Sequence, residues 1–265
     1  MTPHRHAPAK KRFGQNFLRD NNVVARMLSH IDPKPSDHFV EIGPGLGALT
    51  VPLLIAVRRL EAVELDRDLI PHLRQICRDH EELVLHEADA LTFDFSSLAH
   101  DNAGLRVVGN LPYNISTPLI FHLLGFSDQV HDMHFTLQKE VVDRLAARPG
   151  NAAYGRLSVM VQYHCRVEAL FTIAPEVFRP VPKVESAFVR LTTYPTLPFR
   201  ARDAAALASV VAKAFGQRRK TLKNALDGLL TSHGIEAALV DPGARAETLS
   251  VADFVRLADR LTDEP

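Results

Sequence analysis

Through its first 150 residues the chain alternates apolar runs of strand length with segments of helical period, and that alternation restricts the fold most. The strand-like runs are HFVEIG (38–43), LEAVEL (60–65), ELVLHEA (82–88), LRVVGN (105–110) and MHFTLQ (133–138). NNVVARMLSHI (21–31) leads in as a helix. GALTVPLLIAV (47–57), DRDLIPHLRQICRD (66–79), STPLIFHLLGF (116–126) and KEVVDRLAAR (139–148) fill the gaps with helical spacing. Successive parallel strands need a long crossover, and a helix is the usual one. The pattern therefore predicts an α/β fold with a mainly parallel sheet covered on both faces.

After the loop RPGNAAYG (148–155) the pattern changes. RLSVMVQYH (156–164) reads as a helix, and CRVEALFTI (165–173) and SAFVRLTTY (186–194) read as strands. Between them, Pro175, Pro180 and Pro182 keep APEVFRPVPKVE extended and out of any sheet interior. A second break falls at YPTLPFRARD, beyond which residues 203–262 are rich in Ala and Leu at helical spacing. The expected division is residues 1–198, a catalytic α/β domain, and 199–265, a small all-α domain.

No apolar run approaches the roughly 20 residues that cross a bilayer, and no apolar segment follows the basic N-terminus as a secretory signal requires. Cys77 and Cys165 are the only cysteines and form neither a disulfide framework nor a zinc site, which suits a reducing, cytoplasmic setting. His131 and His134 sit in an alternating run that reads as strand, and no metal is expected. Formal net charge is zero, yet two stretches are basic and free of acids. One, within residues 1–19, holds Arg5, Lys10, Lys11, Arg12 and Arg19; the other, within 213–226, holds Lys213, Arg218, Arg219, Lys220 and Lys223. Two local patches on a neutral body point to a local anionic partner.

FVEIGPGLGALT sets Gly43, Gly45 and Gly47 at a strand-to-helix turn, where backbone can approach a ligand. The spacing departs from the dinucleotide fingerprint, whose third glycine comes one residue later, so a pyrophosphate ligand is disfavoured. Glu64 ends the second strand about 20 residues on, where an acid accepts from ribose hydroxyls. Asp89 follows the third strand, placed for an exocyclic adenine amine. A nucleoside without a diphosphate fits this set, and S-adenosylmethionine is the expected cofactor.

VVGNLPYNIS (107–116) then ends a strand on an amide, a proline and a phenol. An adenine N6 amine is a weak nucleophile, because its lone pair is delocalised into the ring. Acceptors that hold its N–H bonds out of plane make it reactive. Asn110 brings a side-chain carbonyl, and Leu111, extended because it precedes Pro112, can aim its own carbonyl inward. Pro112 donates nothing, and Tyr113 offers a ring face. Such a site works by positioning and by electrostatics at the developing charge. A base within RNA must leave its stack to enter, and Phe178, in its Pro-stiffened loop, is the candidate for the opposing face.

These segments, together with KRFGQNFL (11–18), LQKEV (137–141), YGRLSVMVQY (154–163), FGQRRKTLKNAL (215–226) and ARAETLS (244–250), resemble the KsgA/RsmA family of small-subunit rRNA adenine N6,N6-dimethyltransferases. The resemblance covers nearly the whole chain. It implies a class I S-adenosylmethionine-dependent fold, Rossmann-like, with a mixed seven-stranded sheet. Cofactor residues would be Asn16, Leu18, Gly43, Gly45, Glu64, Asp89 and Asn110, with S-adenosylhomocysteine as product. Tyr113 and Phe178 would sandwich the target base. The substrate implied is a pair of adjacent adenosines in the 3′-terminal hairpin loop of 16S rRNA, within an immature small subunit, each receiving two methyl groups. Lys10, Lys11 and Arg12 would flank the entrance, while Arg218, Arg219 and Lys220, opening a helix, would hold RNA phosphates. No membrane is involved, and a monomer is expected. Rival readings are the erythromycin-resistance methyltransferases of large-subunit rRNA, DNA adenine methyltransferases (against which Leu111 counts), and an assembly factor whose binding matters more than catalysis.

Overall fold

The computed structural model describes residues 10, 14–80, 82–98, 104–217 and 219–263. They divide into two compact units: residues 1–142 with 168–193, and residues 143–167 with 194–265. This division differs from the expected split between residues 198 and 199 in where it puts residues 143–167. Residues 143–167 join the second unit because Tyr154, Val159 and Tyr163 are buried with Leu207, Val210, Val211 and Phe254 in one helical core.

In the first unit, β1 (Phe17–Leu18) precedes α1 (Asn21–Ile31), β2 (His38–Ile42), α2 (Thr50–Ala56), β3 (Arg59–Glu64) and α3 (Ile70–Ile76). Then come β4 (Leu83–Glu87), β5 (Leu105–Asn110), α4 (Ser116–Leu124), β6 (Val130–Gln138) and the start of α5 (Lys139–Ala146). The chain returns within β7 (Cys165–Ile173) and closes the unit with β8 (Phe178–Arg179) and β9 (Ser186–Thr193). The large sheet has seven strands in the order β4-β3-β2-β5-β6-β9-β7. Strands β2 to β6 run parallel and β9 pairs antiparallel with β6, so the sheet is mixed, as expected.

Local chemistry sets these boundaries. Asp20 caps α1 by accepting from the Asn22 N–H at 2.8 Å, and Val24, Met27 and Ile31 form the buried stripe. That stripe belongs to a core with Phe39, Leu53, Leu60, Val108 and Phe188. The helix expected from Gly47 starts only at Thr50, because Gly47 has φ +83° and cannot continue a right-handed turn. Pro71 lies in the first turn of α3, where a missing N–H costs nothing. One element carried no sequence signal: β1 pairs antiparallel with β8, Leu18 opposite Phe178.

The second unit contains α6 (Arg156–His164), α7 (Ala204–Gly216), α8 (Leu222–Ala225), α9 (Ser232–Ala237) and α10 (Val251–Asp263). Asp203 caps α7 through the Ala205 N–H at 2.8 Å. Among the described residues, no helix is long and apolar enough to cross a membrane, and no cluster of metal-ligating side chains occurs.

Candidate active site

After β2 the chain builds β3 and β4 to one side, then crosses back to lay β5 and β6 on the other. The reversal makes a crevice at the carboxyl ends of β2 and β5, where ligands bind in open α/β sheets. A cavity of about 350 Å³ lies there, lined by the loop Gly43–Leu46, by Glu64, by Asp89 and by Asn110–Ile115. Asn16 and Leu18 line it as well. The seven expected cofactor residues and Asn110–Tyr113 thus converge on one space.

The acids are partly engaged and keep capacity for a ligand. Glu64, 6% exposed, accepts from the Gly45 N–H at 3.2 Å and the Asp66 N–H at 2.8 Å, one bond to each oxygen. Each oxygen has a second lone pair, so two hydroxyls can still be received. Burial raises the Glu64 pKa against those bonds. Asp89 accepts from the Leu91 N–H at 2.9 Å through one oxygen, leaving the other for a ligand. At Gly43, with φ +66°, an added methyl would meet nothing within 4 Å. The empty direction there and the two carboxylates beyond it fit an adenosine approaching the backbone closely.

The Asn110 amide is held in one orientation. Its Nδ2 donates to the Asn16 carbonyl at 2.7 Å, and a carbonyl only accepts, so the amide orientation is fixed. Oδ1 is left as an acceptor with no other hydrogen bond among the described residues. Leu111 donates its N–H to the Thr136 carbonyl at 3.2 Å, and Leu111 and Pro112 both line the cavity. Tyr113 is clamped twice: its hydroxyl shares a 2.6 Å hydrogen bond with buried Ser186 Oγ, and its carbonyl accepts from Ser116 Oγ at 3.1 Å. Burial raises the phenol pKa and keeps it neutral.

Phe178 lies apart from the cavity lining. Its ring is 1% exposed and packs with Leu18, Val24, Ile173 and Phe188, outside the cavity lining. Its strand pairs with β1, Phe178 opposite Leu18. Lys10 is paired with acids. Its ammonium lies 2.5 Å from both Asp66 and Asp68, while Gln15 Nε2 donates to Asp66 at 3.0 Å. That charge secures Lys10 to the cavity rim. Lys11, Arg12 and Arg218 lie outside the described residues. Arg219 and Lys220 are exposed in the turn that leads into α8.

Polar and aromatic residues beyond the expected site residues also face this cavity. Gln15 and Phe17 line it, and so does Glu41, 2% exposed, with an Oε2 that lacks a hydrogen-bond partner. Burial pushes the Glu41 carboxyl up to about 7. The signal was an acid inside an apolar strand immediately before the glycine loop.

Comparison with known proteins agrees along the length of the chain. Residues 7–263 match the family described as ribosomal RNA adenine dimethylase. Ribosomal RNA small subunit methyltransferase A of Pseudomonas fluorescens is 57% identical over 265 residues, covering 100% of this chain and 98% of the relative. Among solved structures, the 23S rRNA methyltransferase ErmE superposes with a TM-score of 0.72 at 27% identity, over 93% of this chain and 100% of that one. A dimethyladenosine transferase from Plasmodium falciparum gives a TM-score of 0.77 at 24% identity, over 91% and 95%, a likeness of fold. With its sheet, its crevice and nearly all of its sequence accounted for in this way, the chain belongs to the ribosomal RNA adenine dimethylase family.

Proposed function

We propose that the protein transfers methyl groups from S-adenosylmethionine to N6 of two adjacent adenosines in the 3′-terminal hairpin loop of 16S rRNA. It does so within an immature small subunit, as a cytoplasmic monomer and without a metal. The observation that carries this reading is the fixed amide of Asn110, whose Oδ1 stands as an acceptor beside the cavity. Glu64 and Asp89 would hold the ribose and adenine of the cofactor, with the Gly43–Gly45 backbone against it. When bound, the cofactor supplies an electrophilic methyl group on a sulfonium. Asn110 Oδ1 and the Leu111 carbonyl would take the two N–H bonds of the target amine, drawing its lone pair out of conjugation. Tyr113, held by Ser186 and Ser116, would present a ring face to the extruded base. Methylation makes the nitrogen acidic, so its proton leaves to solvent and no strong base is required.

The 57% identity to a small-subunit enzyme against 27% to ErmE favours the small-subunit substrate over the large. The decisive assay is tritiated methyl transfer from S-adenosylmethionine to under-methylated small subunits, with the product nucleoside identified. N6,N6-dimethyladenosine at two adjacent positions is expected. Label in large subunits alone would overturn the reading. Asn110→Ala should lower transfer by at least about 100-fold, the scale of removing one preorganised hydrogen-bonding group, while subunit binding persists.

A further inference from the structure

The helical unit holds a second cavity, of about 370 Å³, at the small end of the range of ligand sites. Arg148, Arg166, Tyr194 and Phe199 line it, and no carboxylate appears among the lining residues. Other polar groups there are already committed. Gln162 Nε2 donates to the Leu145 and Ala147 carbonyls at 2.8 Å each, and the Tyr163 hydroxyl accepts from the Ala201 N–H at 3.2 Å. Arg148 differs: it is exposed, and its guanidinium has no hydrogen bond or ion pair among the described residues. Phe199 leaves 49% of itself in solvent, and the preceding Pro198 stiffens its approach. Tyr194, half-buried, has its backbone fixed by a 3.0 Å bond from its N–H to the His164 carbonyl.

An unpaired arginine beside an open phenyl ring, with a second arginine and a phenol in the same concavity, has the composition of a stacking platform with a phosphate anchor. An acidic peptide would satisfy Arg148 and leave the rings unused. A nucleotide uses both. Resting on the RNA reading of the methyl-transfer cavity, we propose that this second cavity holds one unstacked nucleotide of the RNA substrate. Its base packs on Phe199 and Tyr194, and its phosphate lies against Arg148 and Arg166.

The test uses the full chain and a single-stranded oligouridylate carrying one 4-thiouridine. Photocrosslinking should mark the peptide containing residues 194–199, and Arg148→Ala and Phe199→Ala should each remove the mark. For under-methylated small subunits, Phe199→Ala should raise KM at least about fivefold, the low end of one base–aromatic stack, and Phe199→Tyr should restore it. Crosslinks confined to other peptides would overturn the proposal. So would a KM unmoved by both alanine substitutions, or protection of the peptide by polyglutamate and not by unlabelled oligouridylate. The crosslink needs no methyl transfer. A wild-type chain that crosslinks at 194–199 but leaves subunits unmethylated would therefore sink the catalytic reading and keep this one.

Discussion

A methyl group added at Gly43 would meet nothing within 4 Å, whereas one added at Gly109 would lie 2.7 Å from the Ile42 carbonyl oxygen and 2.8 Å from Leu111 Cδ2. The space at Gly43 belongs to a ligand, and the space at Gly109 to the neighbouring strand. Gly43→Ala should therefore cost about 1–2 kcal/mol through its left-handed backbone, and should weaken S-adenosylmethionine binding further by filling the cavity. Gly109→Ala must shift backbone next to Asn110, so stability and methyl transfer should fall together. Calorimetric cofactor titration beside thermal melts separates the two patterns. Glu41 gives a pH prediction. Its folded-state carboxyl is raised from 4.5 to about 7, so between those values the folded protein binds the proton that the unfolded chain releases. Stability contributed by this group is full below about 4.5 and declines as pH rises toward 7, by about 3 kcal/mol for a shift of that size. Glu41→Gln should flatten that decline in cofactor-free melts, leaving the variant more stable than wild type above pH 7. An unchanged slope would show that Glu41 ionises freely in the fold. Glu64 shifts the same way from its own burial and would leave a residual slope.

At the scale of elements, what the sequence disclosed follows from length. β2 through β6 and α1, α4 and α6 were legible because each has enough residues to show a period, and the motif residues at their ends inherited that placement. β1 and β8, two residues each, have no period to read. Their pairing nevertheless accompanies the burial of Phe178 and the bond from Asn110 to the Asn16 carbonyl, so neither feature could be read from a period. The segment before β1 is secured by side chains from the β3–α3 connection: Asp66 receives Lys10 and Gln15, and Gln15 Oε1 accepts from the Lys10 N–H at 2.8 Å. Since Gln15 to Leu18 form one wall of the cavity, loosening this attachment should loosen the cofactor. Asp66→Asn removes the charge while keeping the shape. Amide exchange over residues 14–18 should accelerate, and the Kd for S-adenosylmethionine should rise roughly three- to tenfold, the scale of one hydrogen bond. Faster exchange with unchanged cofactor affinity would mean that this wall does not grip the ligand.

Across the whole molecule the formal charge cancels, so any attraction to RNA has to come from where the cations stand and whether they are already paired. The two basic stretches look alike in sequence and differ in this respect. Lys10 is held between two carboxylates, an arrangement that raises its pKa through bonds to Asp66 and Asp68. Arg219 and Lys220 stand exposed in a turn, with no hydrogen bond or ion pair from their side chains among the described residues. A cation that already neutralises acids releases few counterions on meeting a phosphate, and a solvated one releases its full share. For every phosphate a variant no longer neutralises, the slope of log affinity against log salt becomes shallower by roughly 0.7–0.9. Arg219→Ala with Lys220→Ala should therefore reduce the slope for small-subunit binding by about 1.5 if both touch phosphate. Lys10→Ala should leave the slope where it is and act on cofactor affinity through the N-terminal segment. Measuring subunit affinity across a salt series for wild type and the two variants assigns each basic stretch its role. A slope that drops for Lys10→Ala and holds for the double variant would reverse the assignment, moving RNA contact from the turn before α8 to the edge of the methyl-transfer cavity.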